Sequence, residues 1–122
     1  MQHHRQHEAA EQIKLFRWVD LVLNYYPELR LLHHIPNGGS RNELEAVNLK
    51  RQGVRAGVPD LCLPVARGGY HGLYIEMKAG KNKPTEKQLW WIENLKKQGY
   101  AVSVCWGFEA ARMELEKYLK LR

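Results

Sequence analysis

The chain has 122 residues, 44% of them hydrophobic and 26% charged, which suits one soluble domain with its own core and excludes general disorder. Lys and Arg outnumber Asp and Glu by nineteen to thirteen, a formal net charge of +6, which favours a polyanionic partner such as nucleic acid over a merely solvated basic surface. No apolar run approaches the ~18 residues of a membrane-spanning helix, and the polar, His-rich stretch Met1 to Ala10 has no signal-peptide core; a cytoplasmic protein without a membrane partner is expected.

Residues 1–7 read as a flexible polar terminus of a single domain spanning 1–122. Ile13, Phe16, Val19 and Leu23 then recur at helical spacing, widened by Leu15 and Val22. Pro27 ends that helix, and Leu29 to Ile35 is expected to be extended, running into the turn Pro36-Asn37-Gly38-Gly39. Ser40 with Glu43 has the form of a capping box opening a second helix, which Leu44 and Val47 continue and Gly53 stops. Gly57-Val58-Pro59 is a stiff approach to a strand, Asp60 to Val65, and a turn at Arg67 to Gly72 leads to a second strand, Leu73 to Ala79, forming a hairpin. Thr85 to Gln98 is a helix with Leu89, Ile92 and Leu95 inward. Tyr100 to Trp106 is a strand, and Phe108 to Leu121 a last amphipathic helix. The order α-α-β-β-α-β-α, with a parallel βαβ unit at its end, predicts an α/β fold: a small mixed sheet flanked by helices. Cys62 and Cys105 are too few and too far apart for a disulfide framework or a four-cysteine zinc site, and read as reduced core thiols.

The residues that suggest chemistry are Pro59-Asp60 and Glu76-Met77-Lys78. Strand alternation puts Glu76 and Lys78 on one face with Tyr74, and Leu73, Ile75, Met77 and Ala79 on the other. In a hairpin, Asp60 can lie beside Glu76. Two carboxylates ~4 Å apart repel by about 4 kcal/mol at an effective dielectric of about 20, so they stay ionised together only beside a cation. A hard oxygen site suits Mg²⁺, with Mn²⁺ able to substitute. Such an ion lowers the pKa of a bound water and neutralises charge on a phosphate oxygen; Lys78 would face the same water, as base, orienter or electrostatic stabiliser.

Gly57-Val58-Pro59-Asp60, then Glu76-Met77-Lys78, then Gln88 on the following helix, resembles the virus-type replication-repair nuclease (VRR-NUC) family, a branch of the PD-(D/E)xK restriction-endonuclease-like superfamily. His34-Ile35-Pro36-Asn37-Gly38-Gly39 and Gly68-Gly69-Tyr70-His71-Gly72-Leu73 resemble its small stand-alone phage and bacterial members. The resemblance implies a restriction-endonuclease-like core and metal-dependent DNA cleavage. It also implies a first-helix acid, for which Glu8, in a Glu-x-x-x-Gln pattern with Gln12, is preferred to Glu11. Its metal set would be Glu8, Asp60, Glu76 and the Met77 carbonyl, with Lys78 and Gln88 completing the catalytic group. Resolution of four-way (Holliday) junctions by a homodimer is the activity implied for stand-alone members, in recombination, repair or phage DNA processing.

Each residue has a plainer role beside the sharp one. Gln88 also fits a capping box with Thr85, and the two roles are compatible. His34 and Asn37 are candidates for the DNA cleft against a simple loop role; an HNH-type nuclease built on His33, His34 and Asn37 lacks the further ligands it needs. Arg41, Lys50, Arg51, Arg55, Arg67, Lys81 and Lys83 are candidate phosphate contacts, against ordinary surface charge. Trp90 and Trp91 suit base stacking or packing, one of them inward and one at a subunit contact. The rival functions are a non-catalytic DNA-binding module on the same fold and a sequence-specific restriction-type endonuclease.

Overall fold

The computed structural model describes residues 2–36 and 42–122; Asn37, Arg41 and the helix start expected at Ser40 lie outside them. Helix α1 spans Gln2–Val22. A 3-10 turn, Pro27–Leu31, follows, then strands β1 (His33–His34) and β2 (Leu61–Leu63) on either side of helix α2 (Glu43–Arg51). Strand β3 (Leu73–Lys78), helix α3 (Glu86–Lys97), strand β4 (Ala101–Trp106) and helix α4 (Phe108–Leu119) complete the chain. The α/β class is as expected, with β1 and the 3-10 turn added. Leu29–Ile35 is therefore not one extended stretch. Pro27 sits at the first position of the 3-10 turn, where its fixed φ starts a turn as readily as it stops a helix.

The sheet has four strands in the order β1-β2-β3-β4. β1 and β2 pair antiparallel, as do β2 and β3, whereas β3 and β4 run parallel across the α3 connection, the arrangement a helical crossover requires. In the hairpin Leu61 faces Ile75, Cys62 faces Tyr74 and Leu63 faces Leu73. One further step of that register sets Asp60 opposite Glu76.

β3 is buried on both sides. Leu73, Ile75 and Met77 join Leu15 and Val19 of α1 and Ala111, Leu115 and Leu119 of α4 in the core, so α1 and α4 cover the apolar face. The Glu76 face carries α3. Tyr118 ties α4 to the β2 end by donating its hydroxyl hydrogen to the Val65 carbonyl at 2.6 Å.

Helix α4 buries Ala111, Leu115 and Leu119, whereas α1 and α3 depart in part from their expected facings. Along α1 the buried line runs through Leu15 and Val19, while Ile13, at the head of the expected stripe, is exposed. In α3, Ile92 is buried but Leu89 is 52% exposed, because Gln88 takes the sheet-facing position beside it. Helix α2 buries none of its residues, and its N-cap is Asn42, whose side chain accepts from the Leu44 and Glu45 amides. Gly53 does follow its last turn, at φ 106°. Cys62 and Cys105 are buried free thiols, and burial pushes the Cys105 thiol up to about 12.

Candidate active site

Asp60 leaves its rigid Gly57-Val58-Pro59 approach pointing at β3, where its Oδ2 accepts the Met77 backbone N–H at 2.7 Å. This bond clamps the start of β2 to the acid-x-lysine segment. The Asp60 carbonyl is held from the other side: the Ile35 N–H donates to it at 2.7 Å, and His34 Nδ1 donates at 3.0 Å. His34 is thus at the site, although its ring is engaged with backbone.

Glu76 is 1% exposed. Its Oε2 accepts from Gln88 Nε2 at 3.1 Å and lies 3.8 Å from Lys78 Nζ. Its Oε1 is buried without a hydrogen-bond partner. Lys78 is itself only 4% exposed. Burial is the largest influence on the Glu76 carboxyl, which is pushed up to about 9; the Asp60 charge raises it further, Lys78 opposes, and the Glu8 charge adds to the rise. Gln88 makes two contacts at once, one within its helix cap and one to Glu76. Thr85 and Gln88 form a reciprocal capping box, and the Oε1 committed to the Thr85 amide leaves Nε2 aimed at Glu76. Met77 packs its side chain in the apolar core, so only its backbone is available to the site.

The two first-helix acids part company here. Glu11 Oε1 accepts the Phe108 N–H at 3.0 Å, doing for α4 what an N-cap side chain does, since Gly107 has none to offer. Its Oε2 binds Lys14 at 2.7 Å. Glu8, one turn earlier, is the acid whose charge reaches Glu76; its Oε2 accepts from Asn82 Nδ2 at 3.2 Å. The sequence reading missed Asn82. It is braced in the loop after β3 by Trp106, whose indole donates to the Asn82 carbonyl at 2.8 Å, and its only sequence signal is its position between Lys81 and Lys83. Both lysines are exposed on that loop. Arg55 stands apart, beside α3, and Arg67 pairs with Glu28 at 2.6 Å, a link from the 3-10 turn to the hairpin rather than a free phosphate contact.

A model of the VRR-NUC domain matches residues 4–109. The chain belongs to the VRR-NUC family. A solved structure described as a VRR_NUC domain protein is similar at 39% identity and a TM-score of 0.66, over 76% of this chain and 70% of that one. No curated protein matches. VRR-NUC membership makes nuclease-type processing of DNA the function, and no helix of the described VRR-NUC residues is long and apolar enough to cross a membrane.

The VRR-NUC site also bears on a cation. Among the described residues, no three His, Cys, Asp or Glu side chains form a group that could hold a metal ion. What the chain offers is a pair, Asp60 and Glu76, with Glu8 at its edge. Mg²⁺ keeps several waters and commonly takes only one or two protein carboxylates. The orphaned Oε1 of Glu76 is the sort of buried lone pair that a cation would satisfy. The residues present fit a hard divalent ion.

Proposed function

We propose that this protein is a Mg²⁺-dependent DNA endonuclease, with Mn²⁺ able to substitute, that nicks branched DNA, four-way junctions foremost, as a homodimer. The observation that carries the catalytic reading is the Glu76 carboxyl group: buried, short of one partner, with Asp60 on one side and Lys78 on the other. Burying an acid with an unpartnered oxygen beside a lysine is costly, because buried polar groups are normally fully hydrogen-bonded.

Asp60 and Glu76, with the Met77 carbonyl and Glu8, would hold the ion. When bound it would supply Lewis-acid activation of water and neutralise charge on the phosphate. In hydrolysis the water oxygen adds to phosphorus and gives one proton to solvent, the bond to the leaving oxygen breaks, and that oxygen takes up a proton from water. Lys78 would orient that water and stabilise negative charge on the pentavalent phosphorus. Gln88 fixes the Glu76 carboxylate, which would otherwise rotate in its pocket. Glu8 answers to the Asn82 loop, so Lys81 and Lys83 would bring phosphate charge to the same edge. The preference for branched DNA is what the family resemblance implies, with DNA shape as the signal that would be read. A two-fold dimer would set one centre at each strand of a two-fold junction.

The test is nicking of an end-labelled four-way junction beside a matched linear duplex, in Mg²⁺ or EDTA, with Asp60→Ala and Lys78→Ala. Junction nicking in Mg²⁺ alone, lost in both variants, is expected. Continued cutting by both variants overturns the site assignment. Tight binding without cutting in Mg²⁺ or Mn²⁺ makes the protein a DNA-binding module, and discrete bands from mixed linear DNA make it a restriction-type enzyme. Light scattering on the eluting protein checks the dimer.

A further inference from the structure

Between α2 and α3 lies a groove of about 510 Å³ that the catalytic reading does not use, lined among others by Leu49, Lys50, Arg55, Lys87, Trp90 and Trp91. Its floor is anchored. Trp91 donates its indole N–H to the Ala56 carbonyl at 3.1 Å, and the Gly57 backbone sits so close to Lys87 that an added Cβ would lie 2.9 Å from the Lys87 carbonyl carbon. Trp90 stands edge-on to Trp91, centroids 5.6 Å apart, and is 58% exposed.

The charge in the groove has one sign. No acid lines it, and among the described residues none of Lys50, Arg55 and Lys87 forms an ion pair. A face shaped for a second copy of this chain would put those unpaired cations against themselves across a two-fold axis, which is unfavourable. Cations around an exposed indole suit a nucleic-acid strand whose bases are free to stack. In a duplex the base faces are already stacked on one another.

The groove also leads to the site. Lys87 precedes Gln88, which holds Glu76, and the loop that forms its floor runs on through Gly57 and Pro59 to Asp60. Resting on the DNA-nuclease reading, we propose that this groove is a single-strand DNA site, where Trp90 stacks on an unpaired base and Lys50, Arg55 and Lys87 hold the flanking phosphates. It would select DNA whose strands are locally unpaired, as at a branch.

The experiment is fluorescence anisotropy of labelled oligo(dT) and of an equal-length duplex in EDTA, where no cleavage complicates binding, with wild type and Trp90→Ala. Stacking of one base is worth about 1–3 kcal/mol, so Trp90→Ala should weaken oligo(dT) binding roughly 5- to 150-fold and change duplex binding by less than about twofold. Photocrosslinking of 5-iododeoxyuridine DNA should label the peptide containing Trp90. Unchanged oligo(dT) affinity in Trp90→Ala, crosslinks only elsewhere, or a Trp90→Ala effect on sedimentation in place of binding overturns the proposal. Trp90-dependent binding in a protein that never nicks supports the groove and removes the catalytic reading alone. Nicking with no Trp90 dependence does the reverse.

Discussion

Replacing Glu76 by Gln should change how the metal-free protein's stability depends on pH. In the unfolded chain this carboxyl loses its proton near the ordinary value of 4.5, whereas in the fold it is held to about 9, chiefly by burial and then by Asp60. Between those values the folded state keeps a proton that the unfolded state has released. Stability from this group is therefore full below pH 4.5 and is lost as pH rises toward 9. The slope is up to about 1.4 kcal/mol per pH unit, so the step from pH 6 to pH 8 costs the wild type as much as about 3 kcal/mol. At roughly 4 °C per kcal/mol for a chain of this length, that is about 10 °C in Tm. Gln cannot titrate, so Glu76→Gln keeps only the pH dependence of the remaining groups, which both proteins share. Thermal unfolding of both in EDTA at pH 6 and pH 8 isolates the difference. Adding Mg²⁺ at pH 8 should raise the wild type and leave the variant nearly unchanged, because binding to the folded state alone stabilises it. Equal pH dependence in the two proteins would refute the claim that Glu76 is a strained buried acid next to Asp60.

Further expectations follow from particular contacts. Glu11→Ala removes the acceptor at the start of α4 and should cost about 1 kcal/mol, or some 4 °C in a melt, while junction nicking persists; Glu8→Ala should abolish nicking. Gly57→Ala adds a side chain where φ is +95° and where Lys87 backbone lies 2.9 Å from the new Cβ; a loss of at least about 1–2 kcal/mol, read by urea denaturation, should come with slower cleavage as the approach to Asp60 shifts. Cys62 and Cys105, 8% and 1% exposed, should resist a thiol reagent until the protein is unfolded, and a fast-reacting equivalent in the native state would contradict their burial.

Much of the fold was legible from local pattern. Period-two alternation in Leu73 to Ala79 and turn residues on either side marked the hairpin, and the helix between β3 and β4 dictated that those strands run parallel. The pairing of Asp60 with Glu76 followed, because a hairpin register fixes which residues share a face. Rotations of helices were not legible. Leu89 looked like core by spacing, but α3 turns Gln88 to the sheet so that its amide meets Glu76, a choice made by a partner twelve residues away. The apolar stripe on α1 was broad, and the helix settled with Leu15 and Val19 inward, packed with the sheet and α4.

The sequence by itself determined the element order, the basic character and the acid-x-lysine segment behind an aspartate, since these depend on composition and on contacts within a few residues. The tertiary structure decided the division of labour between Glu8 and Glu11 and buried Glu76 with one oxygen unpartnered. It also drew Trp90 and the nearby cations into one groove. Each of those depends on which distant elements pack together, and spacing along a chain marks a helix's apolar face without fixing which of its residues meet each neighbour.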